Sequence, residues 1–306
     1  MSRSRRHRGN PVHGIVILDK PLGISSNAAL QQVKSIFQAA KAGHTGSLDP
    51  LATGVLPICL GEATKLSAYL LESEKSYIAT GRLGQATATG DAEGEITQEM
   101  PVPTLSKALI ESVLEQFLGE ITQIPPMHSA VKHKGKSLYK LARKGIEVER
   151  KPRNATIYKL ELLEFTENSL RIEVHCSSGT YIRTLIEDIG GKLDTCAYLT
   201  SLRRISVGHF DLNESFSIDA LQALAEESAE KLKQALLHPQ RAVEHWSSVK
   251  LPKESVFYIK QGRLVEAPAE AQRGRVTLFS EENQFLGLGE VLEDGHVAPK
   301  RLFNLI

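Results

Sequence analysis

Short β-branched runs alternate with helical stripes along the first two thirds of this chain, and none is long enough to be stable unless it packs against the others. Residues 14–18 are apolar and β-branched and read as a strand. Leu30, Val33, Ile36, Phe37 and Ala40 then recur at helical spacing. Ser26 or Asn27 is placed to cap that helix, and Gly43 sits where a helix stops. Val55–Leu60 reads as a buried strand, Ala63–Leu71 as helical and Tyr77–Leu83 as another strand. Residues 105–118 carry helical periodicity through Leu109, Val113, Leu114, Phe117 and Leu118. Leu170, Ile172, Val174 and Cys176 alternate with Arg171, Glu173 and His175, the pattern of a half-buried strand. That strand runs through Ser177-Ser178-Gly179 into a helix with Ile182, Leu185, Ile186, Ile189 and Leu193 on its apolar stripe. Helical segments fill much of 218–237. Beyond about residue 248 the texture changes to short β-like runs, Val256–Ile259, Val276–Phe279 and Phe285–Val291, separated by glycine-containing turns. Residues 248–306 therefore read as a small, separate β-rich domain after a larger one at 1–247.

Bulk composition excludes several classes. With 306 residues, 41% hydrophobic and 24% charged, the chain has ordinary globular composition and a length prior of about two domains. Three cysteines, Cys59, Cys176 and Cys196, make no disulfide framework, and without a Cys-x-x-Cys pair no zinc site is expected. No stretch approaches the roughly 18 apolar residues of a membrane helix. The apolar run after Arg5-Arg6 is too short for a signal segment, so the expectation is a cytoplasmic protein with no membrane contact.

Lys and Arg number 37 against 36 for Asp and Glu, so net charge says nothing about nucleic acid and only placement can. Arg3, Arg5, Arg6 and Arg8 precede the first acid, Asp19, and read as a mobile basic arm. The strongest basic segment is 125–153, where Lys132, Lys134, Lys136, Lys140, Arg143, Lys144, Arg150, Lys151 and Arg153 face only Glu147 and Glu149. Such charges can neutralise phosphates, and Tyr139 among them offers a stacking face, although a solvated helix and loop has the same composition. Gly135-Lys136-Ser137 is not a triphosphate-binding loop, because Ala130 stands where that loop needs a glycine. No Gly-x-Gly-x-x-Gly run opens a helix, so no dinucleotide cofactor is implied.

The loop at 43–54 is of another kind. Pro50 holds Asp49 extended, and Gly43, Gly46 and Gly54 permit close approach of a backbone or a ligand. An Asp-Pro pair alone marks a turn as readily as a site. The run Gly43-His44-Thr45-Gly46-Ser47-Leu48-Asp49-Pro50-Leu51-Ala52-Thr53-Gly54-Val55-Leu56-Pro57, however, resembles the signature of the bacterial TruB family of tRNA pseudouridine synthases. Leu18-Asp19-Lys20-Pro21, Gly61-Glu62-Ala63-Thr64-Lys65, Lys75-Ser76-Tyr77, Ile124-Pro125-Pro126 with Ser129-Ala130, Gly179-Thr180-Tyr181-Ile182-Arg183 and Tyr198 to Arg204 resemble further family blocks, in order along nearly the whole chain. Ser47 stands where threonine is common in the family, and it keeps the hydroxyl.

The resemblance implies an α+β fold, with a mixed pseudouridine-synthase sheet and a C-terminal PUA-like domain. It implies Asp49 as the essential aspartate, Tyr77 stacking on the target uracil and Arg183 pairing with the aspartate. It also implies Tyr181 and Leu202 lining the pocket and His44 holding the RNA loop open. The implied substrate is the T-arm of tRNA, with uridine 55 as target, and the 125–153 segment resembles the family's RNA-gripping insertion, with Lys132, Lys134 and Lys136 as contacts. The reaction breaks the N1–C1′ bond and remakes it from C5 without changing composition, so it requires no cofactor and no metal. The implied enzyme acts without guide RNA or an obligatory protein partner, as a monomer. The competing readings are a non-catalytic tRNA-binding or folding protein of the same architecture and a guide-RNA-dependent pseudouridylase.

Overall fold

The computed structural model describes residues 9–129 and 131–305. The basic arm expected at Arg3 to Arg8 lies outside them, as does Ala130. In chain order the elements of the first unit are β1 (Gly14–Lys20), α1 (Ser26–Ile36), β2 (Ala42–His44), β3 (Ala52–Leu60), α2 (Ser67–Glu72), β4 (Lys75–Leu83), β5 (Gln85–Thr87), β6 (Ile96–Glu99), α3 (Lys107–Glu115), β7 (Gly119–Gln123), β8 (Lys132–His133), β9 (Lys136–Ser137) and α4 (Leu138–Ala142). There follow β10 (Arg153–Thr166), β11 (Ser169–Cys176), α5 (Ile182–Lys192), β12 (Ala197–Val207), β13 (Phe210–Asp211), α6 (Ile218–Glu227) and α7 (Ala229–Lys233). The C-terminal elements are β14 (Ser248–Leu251), α8 (Lys253–Lys260), β15 (Val265–Glu266), β16 (Gly274–Ser280), β17 (Phe285–Val291) and β18 (His296–Leu302). None of the described helices is long and apolar enough to cross a membrane.

A nine-stranded sheet organises the first unit in the order β1-β3-β12-β4-β11-β10-β7, with β2 added to β3 and β13 to β12. Its pairings are antiparallel except β12 on β3, so the sheet is mixed, as the fold class required. One face is buried under α1, α3, α5 and α6, where Val16, Leu30, Val33, Tyr77, Ile172, Val174, Ile186 and Leu202 share one core. The second sheet, ordered β14-β16-β17-β18-β15, has its own core of Val249, Leu251, Ile259, Val276 and Leu278. Phe285 and Leu288 instead pack with Ile15, Ile17, Val55 and Cys59 of the first unit. A polar clasp closes the same junction. Lys65 Nζ donates to the Leu302 carbonyl at 2.6 Å, and the Asn304 N–H donates to Glu62 at 2.9 Å.

Three local expectations are corrected. Helix α1 ends at Ile36 rather than running to Gly43, because Gln38 adopts φ +48° and closes a Schellman turn. The Gln38 N–H donates to Ser35 O and the Ala39 N–H to Lys34 O, both at 3.0 Å. The cap of α1 is Ser25, whose hydroxyl accepts the Ala28 N–H, and not Ser26 or Asn27. Val256–Ile259 belongs to helix α8, with Ile259 buried and Phe257 63% exposed. A four-residue apolar run has no period of its own to separate the two states.

Candidate active site

The Asp49 loop is fixed by backbone contacts before any side chain acts. The buried hydroxyl of Ser26 accepts the Leu48 N–H at 2.6 Å and donates to the Leu48 carbonyl at 2.9 Å. The Asp49 carbonyl accepts the Ala52 N–H at 3.0 Å across Pro50, and the Pro50 carbonyl accepts the Gly23 N–H at 2.9 Å. Lys20, fully buried, ties down the 21–24 turn by donating to the Pro21 and Ile24 carbonyls at 2.8 and 2.7 Å. Burial pulls the Lys20 ammonium down to about 8, partly opposed by Asp49.

The Asp49 side chain remains 48% exposed, and its Oδ2 receives Arg183 Nη2 at 3.0 Å. Arg183, only 8% exposed, stands in the first turn of α5. Its Nη1 faces Asp91 Oδ2 at 3.3 Å and donates to the Thr89 carbonyl at 3.0 Å, while Nη2 donates to the His128 carbonyl at 2.6 Å. Asp91 is 2% exposed and is itself held by the Thr89 hydroxyl at 2.6 Å and the Glu93 N–H at 3.1 Å. A buried guanidinium is tolerated when carboxylates and carbonyls occupy its fork, and here two of each do so. A cavity of about 190 Å³ opens on this pair, walled by Asp49, Asp91 and Arg183 and by His128, Tyr139 and Arg143 of the basic segment.

Beside it the sheet splits. The same edge of β3 pairs with β12 through Ala52–Gly54 and with β2 through Ile58–Leu60. The side chain of Arg204, 1% exposed, occupies the gap. Its Nε donates to the Val55 carbonyl at 2.7 Å and its Nη2 to the Gly46 carbonyl at 3.2 Å, and its charge lies beside the Tyr77 hydroxyl. Gly54 is obligatory here. It has φ +103°, and a Cβ would lie 2.1 Å from the Arg204 carbonyl oxygen. Tyr77 is 7% exposed within the main core, and burial raises its phenol above the usual range. Leu202, two residues before Arg204 on β12, is buried in the same core. His44 ends β2; burial and then Arg204 lower its pKa, and its Nδ1 is buried without a partner among the described residues.

Tyr181 occupies the cap position of α5, two residues before Arg183. Buried Gln123 on β7 holds it from both sides, accepting its N–H at 2.9 Å and donating to its carbonyl at 3.2 Å. Lys132, Lys134 and Lys136 are exposed on the β8–β9 hairpin, whose turn residues Lys134 and Gly135 have φ +47° and +81°. None of the three lines the Asp49 cavity; the helix that follows them, α4, supplies Tyr139 to its wall.

Asp49 and Arg183 are thus brought together from sequence-distant positions, whereas Tyr77, Tyr181, Leu202 and His44 are not among the residues that line their cavity. Four contributors carried no assignment in the sequence. Lys20 and Arg204 lie inside quoted family blocks, which was a usable signal. Asp91 and Gln123 carried no signal beyond their residue type.

Three family models match along the chain. The model described as TruB family pseudouridylate synthase (N terminal domain) matches residues 34–182. Those described as tRNA pseudouridylate synthase B C-terminal domain and Pseudouridine synthase II TruB, C-terminal match 183–244 and 247–303. The chain is 50% identical over 302 residues to tRNA pseudouridine synthase B of Nitrosococcus oceani, covering 99% of this chain and 98% of the relative. It is 50% identical to the protein of that name from Coxiella burnetii, over 96% of each chain. For Pseudomonas putida the identity is 51% over 99% of each chain. Among solved structures, a chain of a Cbf5-Nop10-Gar1 complex superposes with a TM-score of 0.72 at 27% identity, over 95% of this chain and 86% of that one. A chain of an H/ACA RNP bound to a substrate RNA shares the fold, with a TM-score of 0.73 at 24% identity over 99% and 92%.

Proposed function

The chain belongs to the TruB family of pseudouridylate synthases, and from that premise we propose that it isomerises uridine 55 in the T-arm of tRNA to pseudouridine, with Asp49 as the catalytic carboxylate. The observation that carries the assignment is the Asp49–Arg183 ion pair at 3.0 Å, set on a cavity whose far wall comes from the basic segment. The relatives' shared name, matched over nearly the whole chain, supports tRNA as substrate.

In this reading the uracil leaves the base stack to enter the cavity. The N1–C1′ bond breaks, the ring turns, and C5 bonds to C1′. C5 gives up its proton and N1 gains one, so no atom is added or lost overall. Asp49, exposed enough to meet the nucleotide and oriented by Arg183, serves as the carboxylate that attacks carbon or stabilises the electron-poor sugar. Tyr77 stacks on the uracil, a contact worth roughly 1–3 kcal/mol. Tyr181 and Leu202 complete the pocket. His44, kept neutral by burial, holds the RNA loop open from the base of the Asp49 loop.

Residues 1–247 form the catalytic domain and 248–306 a PUA-like RNA-binding domain. Lys132, Lys134 and Lys136 contribute phosphate contacts. The chain works as a monomer in the cytoplasm, and its developed basic hairpin supports action without guide RNA or protein partner. The test is pseudouridine formation on a tRNA transcript with the purified chain alone, alongside Asp49→Asn. Wild type is expected to convert one uridine in the T-loop, and the Asp49→Asn variant to bind the transcript without converting it. Conversion at the wild-type rate by the variant removes Asp49 from the mechanism. Conversion only with added RNA or protein removes the stand-alone reading.

A further inference from the structure

Helix α5 meets the turn at residues 87–91 at two points, and the Arg183 fork is only one of them. Arg183 and Glu187 lie four residues apart on α5 and so share a face. Arg183 takes the Thr89 carbonyl at 3.0 Å and Asp91 at 3.3 Å. Glu187 covers the residue between those two. A Cβ added to Gly90 would stand 2.7 Å from Glu187 Oε1 and 3.1 Å from its Cδ, and the three nearest atoms it would meet all belong to the Glu187 carboxyl.

Backbone bonds tie this turn to the sheet. The Gly90 N–H donates to the Thr87 carbonyl at 3.2 Å, and the Leu199 N–H of β12 donates to the Gly90 carbonyl at 3.0 Å. Its spacing from α5 is left to Arg183 and Glu187. Glu187 is half-buried, forms no ion pair among the described residues and does not line the Asp49 cavity. An acid that served only to solvate its helix would keep its carboxyl in water, because burial without a partner is costly. Burial first, and then Asp188, hold the Glu187 proton on to higher pH than an ordinary carboxyl does; Asp91 acts in the same sense and Arg183 against it. A carboxyl kept neutral acts through its shape.

We propose that Glu187 is a positioning residue for the isomerisation. Its carboxyl is the spacer that sets the 87–91 turn against α5, and through Asp91 and the Thr89 carbonyl it fixes the guanidinium that orients Asp49. Gly90 is the other half of the device: with φ +72° and no Cβ it lets the carboxyl lie flat on the backbone beside Asp91. The proposal rests on the pseudouridine reading above.

The test moves one carbon across the contact in the full-length chain. Glu187→Asp leaves the contact a carbon short, Gly90→Ala makes it a carbon too full, and the double variant restores the fill. Single-turnover rates on a tRNA transcript and filter-binding affinities are measured well below each melting temperature. Each single variant should lose about tenfold in rate, less than the about 100-fold that a 1 Å misplacement of reacting groups can cost. tRNA affinity should stay unchanged, because neither residue lines the cavity. The double variant should recover most of what Gly90→Ala loses, so that the two effects do not add. The left-handed strain of alanine at residue 90 is common to both proteins in that comparison. Glu187→Gln keeps the shape and should turn over as wild type does. Should Gly90→Ala fail to fold, the contrast between Glu187→Asp and Glu187→Gln still decides. A wild-type rate in Glu187→Asp, even with a lowered melting temperature, overturns the proposal, as do additive losses in the double variant or an equal loss in Glu187→Gln. Conversion of the transcript by wild type reports separately on the function itself.

Discussion

Gln123 and Tyr181 exchange two hydrogen bonds, the side-chain amide of one closing on the peptide N–H and carbonyl of the other at 2.9 and 3.2 Å. A buried amide used this way replaces a missing strand partner. It fixes the backbone two residues before the arginine that holds Asp49. Gln123→Leu keeps the bulk but leaves the Tyr181 N–H unpaired, while the Tyr181 carbonyl keeps the Leu185 N–H at 3.0 Å, at a cost of about 1–3 kcal/mol. Expected are a melting temperature lower by several degrees and, assayed well below it, a kcat that falls more than KM rises. A variant that melts lower but keeps wild-type kcat would make Gln123 a stability residue only.

Asp91 shares the Arg183 guanidinium with Asp49. Asp91→Asn keeps the shape but removes one of two charges facing a buried cation, and hydrogen bonds to charged groups are worth about 1.5–3 kcal/mol. We expect kcat to drop at least tenfold with tRNA affinity nearly unchanged, because Arg183 is then free to turn from Asp49. Quench-flow turnover and filter binding measure the two separately. Equal losses in both would point to a disturbed RNA surface instead.

Tyr77 reads differently once its partner is known. Tyr77→Phe leaves the ring but removes the hydroxyl beside a guanidinium 1% exposed, so it is expected to destabilise by about 1 kcal/mol. Tyr77→Ala also opens a cavity, costing about 3–5 kcal/mol. Denaturant unfolding should rank the two in that order. If stacking is the ring's role, the Tyr77→Ala variant loses turnover even at temperatures where it is folded; full activity there would exclude that role.

Lys75 is buried, donates to the Leu71 and Ser73 carbonyls, and is pulled down to about 8 by burial and by Arg204. Its ordinary value is 10.5, so between about 8 and 10.5 the unfolded chain binds the extra proton. The cost of burying the ammonium is therefore present in full below about 8 and is relieved as pH rises through that window. Relative to Lys75→Met, wild type should gain up to about 1.4 kcal/mol per pH unit there. Urea unfolding at about pH 7.5, 8.5 and 9.5, a series chosen to cross the window, measures the gain. Parallel pH profiles for the two proteins would mean that Lys75 titrates normally.

The sequence by itself determined the elements whose period is local. The β1 and β11 strands, the α3 and α5 helices and the turn-prone loop around Asp49 all follow from side-chain spacing over short windows, and the family blocks supplied the chemistry of that loop. Where a local signal was ambiguous it misled: an apolar run at 256–259 was a helix, and the left-handed residue ending α1 was Gln38 rather than a glycine. What only the tertiary structure decided is which groups meet. The Gln123 amide reaches across 58 residues to Tyr181, and Arg204 across 149 to Val55. Arg183 near a helix start has the spacing of an exposed residue, yet it is buried because Asp49, Asp91 and the Thr89 and His128 carbonyls close on it. Such contacts are fixed by sheet order and by where strands part, as β2 and β12 part along β3. Neither leaves a trace in the neighbouring residues, because a buried charge is specified by partners that are distant in sequence.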